Sequence, residues 1–498
     1  VIVELGNLHA RVIQHTARET RWLSDYLAFP DEKARFRKLP PWKRGDGMLR
    51  MLSEATMTFP AGFRDAVAKQ AAVDGIKVEW VDKRKPPAQV SPDPNVDVSW
   101  LRDYQLEALR TGKERGVFHH VTGAGKTMVM AALCAQYNQL RWGVFTHDKT
   151  LLSQTADRFE KRIGEEVGFI GDGAVAPKRI TAAMFQTAYR RLLARDKRML
   201  DWLCSLDGIL VDECHIVPAA TFLHVVMATP NAYFRYGFSA TPFARGDKKS
   251  IFTWGALGPV IHRVTAQRLI DAGLLAKPKI KMVPVRQKCT GSTWASVYSE
   301  AIVRSSARNS VLVSIARVAA KPCFLFVQRI EHGRILERAL RAAGEKVEFV
   351  WGQHETAQRK AAIRRLVHGD TDILICNVVF QHGIDVPELQ SVIIGSGGKS
   401  VIAALQDIGR GTRRHDSAGR VTKTEFDVWD IADKGCGCAS PSKHLGCKWL
   451  ERHTRGRLAA YSIEKFDVAE VAQVVDNRVR SMQNDRQQVH GTHDGRAG

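Results

Sequence analysis

The chain is poor in cysteine, with nine in 498 residues. That is too sparse for a disulfide scaffold at this length. Cys134, Cys204, Cys214, Cys289, Cys323 and Cys376 are scattered, and isolated thiols of this kind read as small buried hydrophobes in a reducing compartment. No apolar run reaches the roughly 18 residues that a membrane-spanning helix needs. The opening VIVELGNLHARVI is too polar for a secretory signal. Acidic residues are also in short supply: 52 Asp and Glu face 74 Lys and Arg, leaving a formal charge of +22. A surface of that sign attracts polyanions. What is present is globular in composition, 44% apolar, and long enough for several domains with their own cores.

Two short stretches carry chemistry. FHHVTGAGKTMVM (118–130) reads as strand, glycine-rich turn and helix start. Thr122 opens its core, TGAGKT. Gly123 and Gly125 let backbone N–H groups converge on phosphate oxygens, and the helix N-terminus adds free donors. Lys126 suits the β and γ phosphates, and the Thr127 hydroxyl suits magnesium. ILVDECHIV (209–217) ends a buried strand in two carboxylates. Asp212 suits a magnesium shell, and Glu213 suits the base that orients water on a γ phosphate. His215 either couples this pair to the next segment or caps a turn. Upstream, WLRDYQLEAL is an amphipathic helix whose Gln105 can donate to and accept from an adenine edge. By pattern alone, packing accounts for it equally well. In GFSATPF, Ser239 and Thr241 follow a strand that Pro242 stops. From these residues alone an ordinary turn is the better account.

Beyond residue 262 strands and helices alternate again: PCFLFVQ, RIEHGRILERALRAAG, KVEFVWG, TAQRKAAIRRLVHGD, TDILICNVVF and LQSVIIGS. Alternation of this kind predicts parallel sheets covered on both faces. Between these elements lie QHGIDVPEL, with a Gly–Ile–Asp turn, and QDIGRGTRR. Arg410 and Arg413 are three residues apart, on one helical face. The cradle has no arginine of its own, so these two suit closure over transferred charge.

In this order the motifs resemble those of superfamily 2 helicases and translocases. TGAGKT resembles motif I, VFTHDKTLLSQ motif Ia, DECH motif II, SAT motif III, QHGIDVPEL motif V and QDIGRGTRR motif VI. The resemblance spans roughly residues 98–462. It implies ATP and magnesium as cofactors, Gln105 as the adenine reader, and Gly383 and Asp385 as nucleotide sensors. The implied fold class is α/β: two tandem RecA-like parallel-sheet motor domains, 99–262 and 263–462, preceded by a small α+β domain. DECH is neither DEAD nor DEAH and points away from the RNA helicase branches. The domain arrangement resembles the fork-remodelling branched-DNA helicases of T-even bacteriophages. That group implies fork reversal, branch migration, unwinding and annealing of branched or duplex DNA. A monomer is expected, in the cytoplasm of a bacterial or phage-infected cell.

Residues 1–85 read as a small basic domain that binds nucleic acid. Within it DEKARFRKLPPWKRGDGMLRML offers Arg35, Arg37, Lys38, Lys43 and Arg44 to phosphates. Phe36 and Trp42 either stack on an exposed base or fill the small core. The Pro-rich stretch through 86–98 is a linker. An insertion at 435–448 holds Cys436, Cys438, His444 and Cys447, a candidate zinc set or a plain surface loop. Residues 463–498 read as a tail. The expected function is an ATP-dependent DNA helicase or translocase. The alternatives are a nucleic-acid-stimulated ATPase without strand separation, an RNA helicase, or the motor subunit of a nuclease complex.

Overall fold

Buried strands rich in Val, Ile, Leu and Phe need cover on both faces, and amphipathic helices between them supply it. The computed structural model shows this in two compact units, Val1–Thr265 and Ala266–Gly498. It describes residues 1–31, 47–243, 249–286, 289, 291–377, 386, 388–398, 409, 416–417, 420–421, 423–434 and 445–471.

The first unit begins with a four-stranded sheet in the order Thr58–Pro60, His9–Gln14, Ile2–Leu5, Glu79–Asp82. Helices Ala17–Tyr26 and Arg64–Val73 accompany it. Thr16 and Glu19 cap the first helix reciprocally, as a capping box. Gly75, in the left-handed region at φ 68°, follows the second. The core of this small domain is not wholly its own. Val3, Leu5, Phe59 and Phe63 pack together with Ile251, and Trp254 joins them. The Phe63 and Trp254 rings lie 5.9 Å apart. Ile251 and Trp254 belong to helix Ile251–Leu257 of the larger fold.

That larger fold is an eight-stranded sheet. Its order is Ala174–Ala176, Gly168–Gly171, Ile180–Met184, Trp142–Thr146, Gly208–Asp212, Phe234–Ser239, Arg115–His120, Val260–Val264. All its pairings are parallel except the first, a hairpin. Separate apolar clusters cover the two faces. Parallel packing sets the carboxyl ends of Arg115–His120, Gly208–Asp212 and Phe234–Ser239 at one edge of the sheet, where ligands bind in open α/β sheets. Arg235 is fully buried under this sheet. Its guanidinium donates to the Val226, Thr229 and Ala256 carbonyls, satisfying a charge that has no carboxylate partner among the described residues.

The second unit holds a seven-stranded parallel sheet, ordered Val347–Val350, Ile373–Asn377, Cys323–Val327, Ser391–Ile394, Glu425–Lys434, Lys277–Arg286, Asp467–Glu470. Two buried ion pairs tie helices to the strand Glu425–Lys434: Arg457 to Asp430 at 2.8 Å, and Arg308 to Asp433. Tyr461 also donates to Asp430, at 2.8 Å.

Two expectations need correction. The region read as a tail from residue 463 still contributes Asp467–Glu470 to the sheet edge. All four residues are exposed, so no apolar alternation betrayed them. The strand pairs through its backbone, and Lys277–Asp467 and Lys434–Glu470 ion pairs flank it. Cys204 is exposed, at the last position of helix Lys197–Cys204, unlike the buried Cys134, Cys214, Cys289, Cys323 and Cys376.

Where Gly62 meets helix Ile251–Leu257 the two backbones are in close contact. A Cβ on Gly62 would lie 2.1 Å from the Trp254 carbonyl oxygen. Gly62→Ala is therefore expected to destabilise the first unit by roughly 1–3 kcal/mol. Urea unfolding followed by tryptophan fluorescence measures this, and an unchanged midpoint would contradict the packing described.

Candidate functional site

The cradle forms because two glycines adopt backbone angles that side chains resist. Gly123 has φ 86° and Gly125 φ 73°. The loop leaves strand Arg115–His120 and enters helix Lys126–Gln136 directly. Thr122 and Thr127 flank the turn and are part-buried.

Gln105 braces the cradle from helix Asp103–Leu109. Its Nε2 donates to the Ala124 carbonyl at 2.9 Å, and its Oε1 accepts from the Arg102 N–H at 3.0 Å. Tyr104 donates to the same Ala124 carbonyl at 3.2 Å. In this structure, then, the residue expected at an adenine edge holds the phosphate loop. A Cβ on Gly125 would fall 2.4 Å from Gln105 Nε2.

Strand Gly208–Asp212 delivers the carboxylates to the same place. Lys126 Nζ lies 3.2 Å from Glu213 Oε1, with both side chains largely buried. Burial pushes Asp212 upward, and the adjacent Glu213 charge pushes it further. For Glu213 burial acts in the same sense. The Lys126 charge and a His215 hydrogen bond outweigh it and hold the carboxyl well below its usual range. Lys126 is raised despite burial, because Glu213 and Asp212 stabilise its cationic form. Glu213 itself sits in the left-handed region at φ 49°, a conformation that non-glycine residues keep at functional sites when their surroundings enforce it.

Those surroundings are visible. His215 Nδ1 is 3.2 Å from Glu213 Oε2 and 3.1 Å from Ser239 Oγ. Ser239 reaches Glu213 Oε2 at 3.3 Å and accepts from the Thr241 N–H at 3.1 Å. The turn that looked ordinary in sequence is therefore wired to the acidic pair, and His215 bridges them. A further residue escaped sequence reading. His119 Nε2 lies 2.9 Å from the Ala240 carbonyl. Burial, followed by the Arg263 charge, lowers its pKa to about 4. A carbonyl only accepts, so His119 is the neutral Nε2–H form at neutral pH. The only signal in the sequence was its place, two residues before the end of the lead to TGAGKT.

Thr127 and Asp212 are oxygen donors of the kind a small hard cation takes. The repulsion that raises Asp212 is what a divalent charge would relieve. Among the described residues no group of three or more His, Cys, Asp or Glu side chains is placed to hold a metal ion, and no helix is long and apolar enough to cross a membrane. Gly383, Asp385, Arg410 and Arg413 lie outside the described residues, as do Arg35, Arg37, Lys38, Lys43 and Arg44. The same holds for Cys436, Cys438, His444 and the side chain of Cys447.

Residues 98–244 match the family described as type III restriction enzyme, res subunit, and residues 307–415 match the helicase conserved C-terminal domain. The chain is 25% identical over 487 residues to the ATP-dependent DNA helicase uvsW of Enterobacteria phage T4, covering 89% of this chain and 94% of that protein. It is 23% identical over 358 residues to the DNA 3'-5' translocase XPB2 of Sulfurisphaera tokodaii, covering 64% and 79%. Among solved structures it is similar to the ATP-dependent Type ISP restriction-modification enzyme LlaBIII bound to DNA, with a TM-score of 0.55 at 14% identity, covering 84% of this chain and 35% of that one. That last likeness concerns the fold: two tandem RecA-like sheets.

Gly125 tests whether the cradle works as built. Gly125→Ala adds a Cβ against Gln105 and strains a positive φ. Nucleotide affinity should fall at least about tenfold, equivalent to 1.4 kcal/mol. A fluorescent-nucleotide titration reads this, and unchanged affinity would contradict the geometry.

Proposed function

The chain belongs to the superfamily 2 helicases and translocases, and on that footing we propose that it spends ATP to remodel branched or duplex DNA by fork reversal, branch migration, unwinding and annealing. As an ATP-hydrolysing DNA helicase or translocase it needs a phosphate cradle and a water-orienting carboxylate in one place. Lys126 at 3.2 Å from Glu213 supplies that juxtaposition. The observation that carries the finer reading is the extent of the uvsW similarity. It runs over 89% of this chain, too much to leave out the whole of the small N-terminal domain or either RecA-like sheet. The XPB2 similarity stops at 64%.

In this reading the N–H groups of Thr122, Gly123 and Gly125 receive phosphate oxygens, and Lys126 leaves Glu213 to neutralise the β and γ phosphates. Thr127 and Asp212 hold magnesium, which screens phosphate charge when bound. Freed from Lys126, Glu213 orients the attacking water, with its carboxylate aimed by His215 and Ser239. Gln105 turns from the Ala124 carbonyl to the adenine edge. Arg410 and Arg413 complete the site, and Gly383 and Asp385 sense its occupancy. Arg35, Arg37, Lys38, Lys43 and Arg44 contact backbone phosphates, and the surplus of +22 favours that track. The restriction-enzyme family match over 98–244 favours a second reading, a motor subunit within a nuclease complex.

Steady-state ATP hydrolysis with single-stranded, duplex and forked DNA and with RNA separates these readings. Forked or duplex DNA should stimulate turnover most, with branch migration by the chain alone. Translocation without strand exchange favours the motor-subunit reading, and preference for RNA would contradict both. Glu213→Gln should lower kcat by about 10²-fold or more while leaving nucleotide binding intact. Lys126→Ala should lose binding itself.

A further inference from the structure

Arg115 begins the strand that leads to the cradle, at the end away from it, where the parallel sheet meets the small N-terminal domain. Its Nη2 donates to the Asn7 carbonyl at 2.7 Å. Its Nη1 is buried with no hydrogen-bond partner among the described residues. Native structures seldom leave a buried guanidinium N–H unpaired, because desolvation without a bond is costly.

Arg115 lines a cavity of about 40 Å³, room for roughly three waters or one tetrahedral oxyanion. Its charged lining is uneven: Arg64, Arg84, Lys113 and Arg115 against Asp65 and Glu114. Arg84 is committed elsewhere. Its side chain is 4% exposed, with Nη2 2.7 Å from Asp82 and 3.8 Å from Glu114. Its guanidinium lies over the Tyr233 ring at 4.6 Å. Little negative charge is left for Arg115. Burial, followed by the Arg84 charge, pulls its pKa down to about 10. The seam thus gathers like charges around a small space and leaves one donor unused.

We propose that this cavity is an oxyanion site for a phosphate group, held by Arg115 with Arg64 and Lys113, that secures the N-terminal domain to the first parallel sheet. An arginine fork matches a tetrahedral oxyanion through paired charge-assisted bonds. The small, partly walled volume favours inorganic phosphate; a phosphodiester of bound DNA has the same chemistry. The site is independent of the nucleotide cradle, at the opposite end of the strand.

The test uses the full chain carrying Lys126→Ala, so that phosphate in the cradle does not contribute. Thermal unfolding is followed with inorganic phosphate, with chloride at matched ionic strength, and with a short DNA duplex. Phosphate should raise Tm by roughly 2–4 °C at ten times its dissociation constant, and chloride should not. Arg115→Gln and Arg64→Gln should each remove the shift. Arg64 makes no hydrogen bond comparable to the Arg115–Asn7 bond, so its variant keeps the test valid should Arg115→Gln fail to fold. A rise with duplex that Arg64→Gln removes identifies the phosphodiester as the source. A rise with phosphate alone that it removes identifies the free anion. A duplex rise that survives Arg64→Gln reports DNA contacts elsewhere on the chain, and the absence of any Arg64-dependent rise with either ligand overturns the site.

Discussion

The contact between Lys126 and Glu213 organises the first unit. One partner comes from the phosphate loop and the other follows strand Gly208–Asp212, and their charged atoms lie 3.2 Å apart. Losing one member of a buried pair costs roughly 3–5 kcal/mol because the other is left uncompensated. The pair is also provisional by design. In the proposed function a phosphate chain entering the cradle would offer Lys126 a stronger partner and release Glu213 toward water. On that proposal one interaction stabilises the empty site and prepares the reactive one.

Around this pair the structure fixes direction. Glu213 is held at a positive φ, and His215 and Ser239 share its second oxygen. The same neighbourhood extends outward. Thr253 donates to the Cys214 carbonyl at 3.3 Å. Thr253 lies on helix Ile251–Leu257, whose Ile251 and Trp254 enter the core of the N-terminal domain. A short helix thus touches both the acidic motif and the domain proposed to meet DNA. The small domain is thus built onto the larger sheet, and Ile251 and Trp254 complete its core.

Much of this was legible in the residues. Glycines with a following Lys and Thr specify a cradle, because few other sequences place N–H groups, charge and a hydroxyl at a helix start. Buried strands such as Cys323–Val327 and Ile373–Asn377 were readable from apolar runs bounded by helices that end at Gly344 and Gly369. What escaped was relational. SATPF carries no sign of its bond to Glu213, since small hydroxyls end many strands. His119 has no local pattern pointing to Ala240. The edge strand Asp467–Glu470 is short and exposed throughout, so its pairing depends on an accepting neighbour and not on burial of its own side chains. Nothing in the sequence of helix Ile251–Leu257 shows that Ile251 and Trp254 complete the core of a different domain.

The central claim is that the cradle and the acidic strand act as one unit through Lys126 and Glu213. A double-mutant cycle on nucleotide-free protein tests it most directly, with Lys126→Met, Glu213→Gln and their combination unfolded in urea. The account predicts a coupling energy of about 1–3 kcal/mol. Additivity within about 0.5 kcal/mol would mean that the two side chains are neighbours without being partners, and the account would fail at its first step.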